Sequence, residues 1–376
     1  MKAVLRPYQY VYVSANDNEI LFYDMLEKQI YTYKMENFNC NICGGNVIIN
    51  AENLNSLKII SDFRTKQMGE FVVSNAIIHF DKYASLRRDY NDIIENEISP
   101  YFNPCKFIFE IDVCYDCSLS TLLLGFDKKH HFVERVSWNE ILNFIQTNDF
   151  SSLAKMRLIL NREQISKSAL FIEEMSNRKI NIEILCSIYD IKFAIALKQK
   201  YEAISINCIL KNGEIECLNE CLDDYDSSVS SYIIIIQNTN DIERLERLNI
   251  GERHRVDIVY STNASLDFLK GILSYSYDQV AQYAPNDIKS IVEKEFINKL
   301  NWGKIILTGD GKVYSSVVNE IGSLSHTNFD EIINRSESLW FKTRCSFSYC
   351  RDCIMRNLCP PLTLVEMKQQ TTFCHE

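Results

Sequence analysis

The chain carries no excess of positive charge. Forty Lys and Arg stand against fifty Asp and Glu over 376 residues, a formal charge of −10 with six His counted as neutral, and the pI is near 5.3. Nucleic-acid binding needs a basic patch or stripe, so it is not expected. Long hydrophobic runs are also missing. The most apolar window, Tyr232 to Ile236, falls far short of the roughly 20 residues of a membrane span. The opening residues Met1-Lys2-Ala3-Val4-Leu5-Arg6-Pro7 show no apolar stretch followed by a small-residue cleavage site. A soluble, cytoplasmic protein with no membrane partner is the expectation. The sequence also lacks His-x-x-x-His, a Gly-rich phosphate loop and Gly-x-Ser-x-Gly. Its histidines are scattered, and His130-His131 follow Lys128-Lys129 in what reads as a solvated loop. Internal repeats and low-complexity runs are absent.

What is present is apolar and sulfur-rich. Hydrophobic residues make up 46% of the chain, enough for real cores, and the length suits two or three domains. Without a secretory signal, the 14 cysteines read as thiols or metal ligands rather than disulfides. Cys40/Cys43, Cys114/Cys117 and Cys350/Cys353 are C-x2-C pairs. The third pair continues to Cys359 after five residues and to Cys374 after fourteen more. A tetrahedral zinc or an iron–sulfur cluster needs four soft ligands at one point, and a C-x2-C turn supplies two at once. Pro360-Pro361 then stiffens the exit. Spacing leaves zinc, a 4Fe–4S cluster and plain reduced thiols all open.

Hydrophobic periodicity divides the chain in three. Residues 1–95 read as an α+β module. It opens with a hairpin, Tyr8–Ser14 and Ile20–Asp24, adds strands at Ile30–Tyr33 and Asn46–Asn50, and has a helical stretch over 51–62. Residues 96–276 alternate six strand candidates, Phe107–Ile111, Met156–Leu160, Asn181–Leu185, Ala203–Asn207, Tyr232–Ile236 and Val256–Tyr260, with helix candidates such as Trp138–Gln146 and Ile191–Lys200. This is α/β, with parallel βα units covered on both faces, as an open sheet or a partial barrel. Residues 277–376 begin with a helix over Asp278–Leu300. A hairpin with Asp310-Gly311 at its tip comes next, and then the cysteine-rich tail.

The segment from Gly303 to Cys374 resembles the SPASM region that follows many radical S-adenosylmethionine (SAM) enzymes acting on ribosomal peptides. Gly311-Lys312-Val313-Tyr314-Ser315 stands for the family's G-x-V-x-C hairpin, Gly322 for its glycine, and Phe329–Asn334 for its helix. The resemblance implies one auxiliary 4Fe–4S site on Cys350, Cys353, Cys359 and Cys374. A second, inner cluster would need cysteines where Ser315 and Thr363 stand. Cys345 replaces only one ligand, so that cluster is expected to be missing.

By the same resemblance, 96–276 corresponds to a partial (β/α)6 TIM-like barrel. Active members carry C-x3-C-x2-C after the first strand. Starting from Cys114, the other two positions are Ser118 and Thr121. Cys217-x3-Cys221 continues to Asp224 and offers no replacement. The family's Gly-Gly-Glu-Pro after the second strand is Asn161-Arg162-Glu163-Gln164, which keeps only Glu163. Ser and Thr cannot replace soft iron ligands. Cys114, Ser118, Thr121 and Glu163 are therefore a degenerate cofactor site, and no SAM is expected. The whole is similar to pseudo-radical-SAM/SPASM proteins that accompany a true maturase and a double-glycine-leader peptide in Bacteroidales-type clusters. The resemblance implies a non-catalytic partner that binds precursor peptide, an active radical SAM/SPASM maturase, or both. Two other readings are a redox enzyme or electron carrier using the tail, and a zinc-stapled binding protein. Cys40-Asn41-Ile42-Cys43-Gly44-Gly45 resembles a zinc knuckle, so Cys40, Cys43, Cys114 and Cys117 form either a second thiol site or two reduced pairs, neither visibly at a helix N-terminus. Asp112, Asp116 and Glu163 read as polar groups at a barrel mouth or as solvated acids. The Tyr- and Phe-rich hairpin reads either as a peptide-recognition edge or as ordinary core.

Overall fold

A computed structural model describes residues 2–35, 40–43, 46–50, 54–73, 83, 86–88, 108–126, 136–148, 150–211, 213–218, 225, 228–247, 256–317 and 319–374. Phe107, His130, His131, Cys221 and Asp224 lie outside the described residues. The chain forms two compact units, one of Met1–Cys105, Ser274–Trp302 and Trp340–Glu376, the other of Lys106–Leu273 and Gly303–Leu339. These units do not coincide with the consecutive segments 1–95, 96–276 and 277–376. The C-terminal hairpin falls with the large sheet, and the cysteine-rich tail falls with the N-terminal strands.

In the first unit, β1 (Lys2–Pro7), β5 (Cys40–Cys43), β6 (Asn46–Asn50) and β7 (Gly69–Val73) form an antiparallel sheet in the order β5-β6-β1-β7. The expected hairpin is there as β2 (Val11–Ala15) and β3 (Glu19–Asp24), with β4 (Gln29–Lys34) beside it. Strand β3 buries both faces, because successive side chains point to opposite sides. Ile20 and Phe22 join a core with Leu5, Val47, Ile49 and Phe63. Leu21 and Tyr23 join another with Val292, Met355, Leu358 and Cys359. Of the aromatic side chains in the expected hairpin, Tyr12, Phe22 and Tyr23 are therefore core, whereas Tyr8 is exposed and Tyr10 half-buried. The helix expected over Asp278–Leu300 is two helices, Tyr277–Tyr283 and Ile288–Phe296. Pro285 disfavours helical backbone at the preceding residue, and Ala284 is extended at φ −63° and ψ 149°.

The second unit is a mixed α/β structure built on a nine-stranded sheet. Its parallel strands are β8 (Glu110–Cys114), β9 (Lys155–Ile159), β10 (Asn181–Ser187), β11 (Ile204–Leu210), β12 (Ser231–Ile236) and β13 (Val256–Tyr260). The strands β14 (Lys304–Thr308), β15 (Lys312–Ser316) and β16 (Asn319–Ser323) complete it. The order is β13-β12-β11-β10-β9-β8-β14-β15-β16, and β14 runs parallel to β8. Six parallel strands form, in chain order and with no reversal, the first of them at Glu110–Cys114 rather than at the expected Phe107–Ile111.

Alternation sorts the two faces of this sheet. On one lie Val113, Leu158, Ile184, Ile206, Ile234 and Leu307, all fully buried. Helices Ile191–Lys200 and Thr239–Glu246 pack on that side, through Ile191, Ile195, Ile242 and Leu245. The opposite face is polar at the amino ends of the strands, with Glu110, Asp112, Arg157, Glu183, Asn207 and Ser231. Toward the carboxyl ends it turns apolar, where Cys114, Ile159, Leu185, Ile209 and Ile235 pack against Leu119 and Phe126. The two faces are covered differently. The helices that pack on strands β11 and β12 sit on the wholly apolar face, while the helix Cys117–Leu124, which carries Leu119, fills the other.

Candidate functional site

At the carboxyl ends of the parallel strands, Asp116 caps the helix Cys117–Leu124 by accepting from Leu119 N at 3.0 Å, and Gly125 ends it at φ +84°. Cys117 is thus the first residue of a helix, contrary to the expectation that neither C-x2-C pair sits at a helix N-terminus. Cys114, the last residue of β8, is fully buried, and burial, with Asp112 adding to it, pushes its thiol far up. Ser118 is exposed on that helix and Thr121 is half-buried. Glu163 is exposed and paired with Lys167. Asn161, just before it, caps the helix Arg162–Lys167. The carbonyl of Thr121 accepts from Asn263 Nδ2 at 3.0 Å, in the loop that follows β13.

Cys40 and Cys43 form β5, an extended strand paired with β6, rather than the tight turn of a C-x2-C ligand pair. They belong to one unit, while Cys114 and Cys117 belong to the other. Burial pushes the Cys40 thiol up to about 11.

The tail is turn-rich around its sulfurs. Cys353 N donates to Cys350 O at 2.9 Å, and Cys359 N to Met355 O at 3.0 Å. Cys350 and Cys359 are buried, Cys353 is half-buried, and Cys374 is exposed. The late cysteine is brought back by a parallel bridge to Tyr275. Cys374 and Cys359 share a hydrogen bond, which lowers the Cys374 thiol to about 6 and raises Cys359 well above the ordinary range. Cys374 also acts electrostatically on Cys350 and Cys353, whose thiols burial pushes up. The four thiols are thus electrostatic neighbours. Among the described residues, however, no three His, Cys, Asp or Glu side chains are gathered closely enough to hold a metal ion.

Hydrogen-bond donors face these sulfurs. Arg344 Nη1 is 3.3 Å from Cys350 Sγ, and Met355 N is 3.4 Å from Cys353 Sγ. The same guanidinium donates from Nε to Pro360 O at 2.6 Å and pairs with Glu366 at 3.0 Å, with side chains 5% and 1% exposed. Lys294 Nζ donates to Cys359 O at 2.8 Å and Leu358 O at 3.1 Å, and burial lowers its ammonium to about 8. Arg356 Nη1 donates to Arg351 O at 2.9 Å and Cys353 O at 3.2 Å. Buried thiols with N–H donors and cations around them suit a thiolate-bound soft metal in donor chemistry. Lys294 and Arg344 were invisible at the level of cysteine spacing. The sequence signal is two basic residues, Arg351 and Arg356, inside the C-x2-C-x5-C run.

The two hydroxyls at the inner-cluster positions have structural partners. Thr363 caps the helix Leu364–Gln369 in a reciprocal capping box with Glu366. Ser315 is buried on β15 and accepts from Asn319 Nδ2 at 2.7 Å. Cys345 donates to Asn357 Oδ1 at 3.1 Å.

No protein family matches this chain, and no curated protein is similar to it in sequence. Similar solved structures include the crystal structure of Streptococcus suis SuiB bound to precursor peptide SuiA, at 8% identity and a TM-score of 0.44, with 98% of each chain covered. No helix among the described residues is long and apolar enough to cross a membrane.

Proposed function

We propose that this chain is a non-catalytic, radical-SAM-like partner in ribosomal peptide maturation, with one metal centre in its tail. The observation that carries the non-catalytic part is the helix Cys117–Leu124. It begins directly after the strand whose following loop carries the cluster in active members, and it packs Leu119, with Phe126 behind it, onto Ile159, Leu185, Ile209 and Ile235. Space that a cofactor would need at the carboxyl ends of the strands is taken by the chain's own apolar side chains. Ser118 and Glu163 meanwhile face solvent.

The sheet is the expected partial (β/α)6 barrel in this reading. A flat sheet would set β8 and β13 five steps of about 4.8 Å apart. The hydrogen bond from Asn263 to Thr121 links the segments that follow these two strands, which supports a curl around the helix Cys117–Leu124.

In the tail, Cys350, Cys353, Cys359 and Cys374 would hold the centre. A 4Fe–4S centre supplies electron transfer and a zinc only cross-links. Arg344 and the Met355 amide orient and hydrogen-bond the thiolates. Partners would be a precursor peptide and an active radical SAM/SPASM maturase.

The test is anaerobic purification with iron, sulfide and zinc analysis of the wild type and Cys359→Ala, a SAM-cleavage assay, and binding of a double-glycine-leader peptide. About four irons per chain, lost in the variant, with no SAM cleavage and measurable peptide binding, is the expected result. SAM cleavage overturns the non-catalytic reading. No metal in the wild type overturns the metal centre.

A further inference from the structure

Among the described residues, positive charge gathers at the tail without matching carboxylates. Lys294, Arg344 and Arg356 line, together with Cys359, a cavity of about 10 Å³. Among the described residues, one carboxylate pairs with any of these three cations, and that is Glu366 with Arg344. Nearby acids are taken elsewhere, since Glu293 pairs with Lys299 and Glu295 with Arg87. The ammonium of Lys294 is left with the carbonyls of Leu358 and Cys359. A cation taken out of water is costly unless an opposite charge faces it. Among the described residues, the frame around the thiols therefore carries a surplus of two positive charges.

Four thiolates around a zinc ion, or around an oxidised 4Fe–4S core, leave about two net negative charges. We infer that Lys294, Arg344 and Arg356 are the counter-charge of an anionic four-thiolate centre at Cys350, Cys353, Cys359 and Cys374, with Lys294 the member most dependent on it. This rests on the tail-metal reading above. Arg344 touches a ligand sulfur directly, while Lys294 and Arg356 act through the backbone carbonyls and the local field. They are positioning and charge-balancing residues. Loss of either should weaken metal retention, and if the centre is iron–sulfur it should be harder to reduce, because reduction adds a further negative charge to it.

The experiment uses the full chain loaded with zinc, or with iron and sulfide. It compares wild type, Lys294→Met, Lys294→Arg and Arg356→Gln by chelator competition and, for the iron form, by redox titration. We expect at least tenfold weaker retention and a more negative midpoint potential in Lys294→Met, a smaller change of the same sign in Arg356→Gln, and near wild-type behaviour in Lys294→Arg. Arg356 is only half-buried, so its variant gives a reading even if Lys294→Met does not fold. A wild type that takes up neither zinc nor iron overturns the metal reading itself. Metal uptake with unchanged retention in Lys294→Met or, failing that variant, in Arg356→Gln overturns the charge-balancing role alone. Equal losses in Lys294→Met and Lys294→Arg assign the effect to packing and also overturn it.

Discussion

Asn357 Nδ2 lies 2.8 Å from the phenolic oxygen of Tyr12 and 2.9 Å from Glu295 Oε1. One buried amide in the cysteine-rich tail thereby ties the N-terminal hairpin to the helix Ile288–Phe296. Arg87 holds the other side of Glu295 through a two-pronged contact at 3.0 and 3.1 Å, and Asn16 Nδ2 reaches Asp352 O at 3.1 Å. The hairpin and the tail are parts of one core, although more than 300 residues separate them in sequence.

This network should behave as a unit. Tyr12→Phe removes one buried hydrogen bond and should cost about 1–2 kcal/mol. Asn357→Ala should cost more, because it also strips a donor from Glu295 and the acceptor of the Cys345 thiol. The double variant should be non-additive, with a coupling of about 0.5–3 kcal/mol, whereas unlinked residues add to within about 0.5 kcal/mol. Urea denaturation of the four proteins measures it, and strict additivity would show that the hairpin and tail fold independently.

Gly125 gives a steric test of the helix that fills the sheet. Its φ of +84° is in the left-handed region, and a Cβ there would lie 2.1 Å from Thr262 Oγ1 and 2.9 Å from Thr262 Cβ. Gly125→Ala should therefore destabilise by roughly 1–3 kcal/mol through backbone strain plus the clash. Adding Thr262→Ala removes the Oγ1 and should recover only part, since the strain and the close Cβ remain. Complete recovery would mean that the backbone strain contributes nothing, and no cost at all would mean that the helix end is loosely held.

The six parallel strands were legible because their outward positions, such as Ile182, Ile184 and Cys186, are apolar without exception, while Glu183 between them marks the other face. The helix Trp138–Thr147 was legible from Ser137 and Glu140, which form its capping box. The break at Pro285 is legible in the sequence, yet the amphipathic run continues across it. Strand β1 was hidden because Lys2–Pro7 is short and gains its identity only by pairing with β6 and β7. Spacing singled out the four tail cysteines, but Lys294 reaches them from 65 residues before Cys359. No local pattern encodes a contact made by tertiary packing.

A pH experiment addresses the acids at the carboxyl ends of the strands. Burial first, and Asp116 second, raise the Asp190 carboxyl above 3.8, and burial raises Glu214 above 4.5. A raised carboxyl keeps its proton longer in the folded state, so the unfolded state binds fewer protons in that window. Stability is then full below the unfolded value and falls as pH rises through the folded one. Asp190→Asn should raise the melting temperature modestly at pH 7, change little at pH 3, and flatten the slope above pH 3.8. Thermal melts across that range decide it, and a variant less stable at pH 7 than wild type would show that the ionised carboxylate is favourable in place.

The polar end of the sheet face that carries Glu110, Asp112 and Arg157 is a tougher electrostatic element than a surface ion pair. Arg157 Nε and Nη2 grip the two oxygens of Asp112 at 2.6 and 2.5 Å, and Nε also reaches Glu110 at 2.9 Å. Lys304 contacts Glu110 from the next strand at 3.5 Å. Asp112 is 4% exposed, so Arg157→Met would leave a buried carboxylate without its partner, which should cost about 3–5 kcal/mol. Asp112→Leu alone should cost less, because Glu110 still holds the guanidinium. Asp112→Leu combined with Arg157→Met replaces the pair by apolar groups of similar reach and should recover most of the loss, leaving Glu110 to Lys304. Denaturation midpoints give the answer. A cost below about 1 kcal/mol for Arg157→Met would place the pair in the class of solvated surface ion pairs, and this face would then be open to water along the length of β8 and β9.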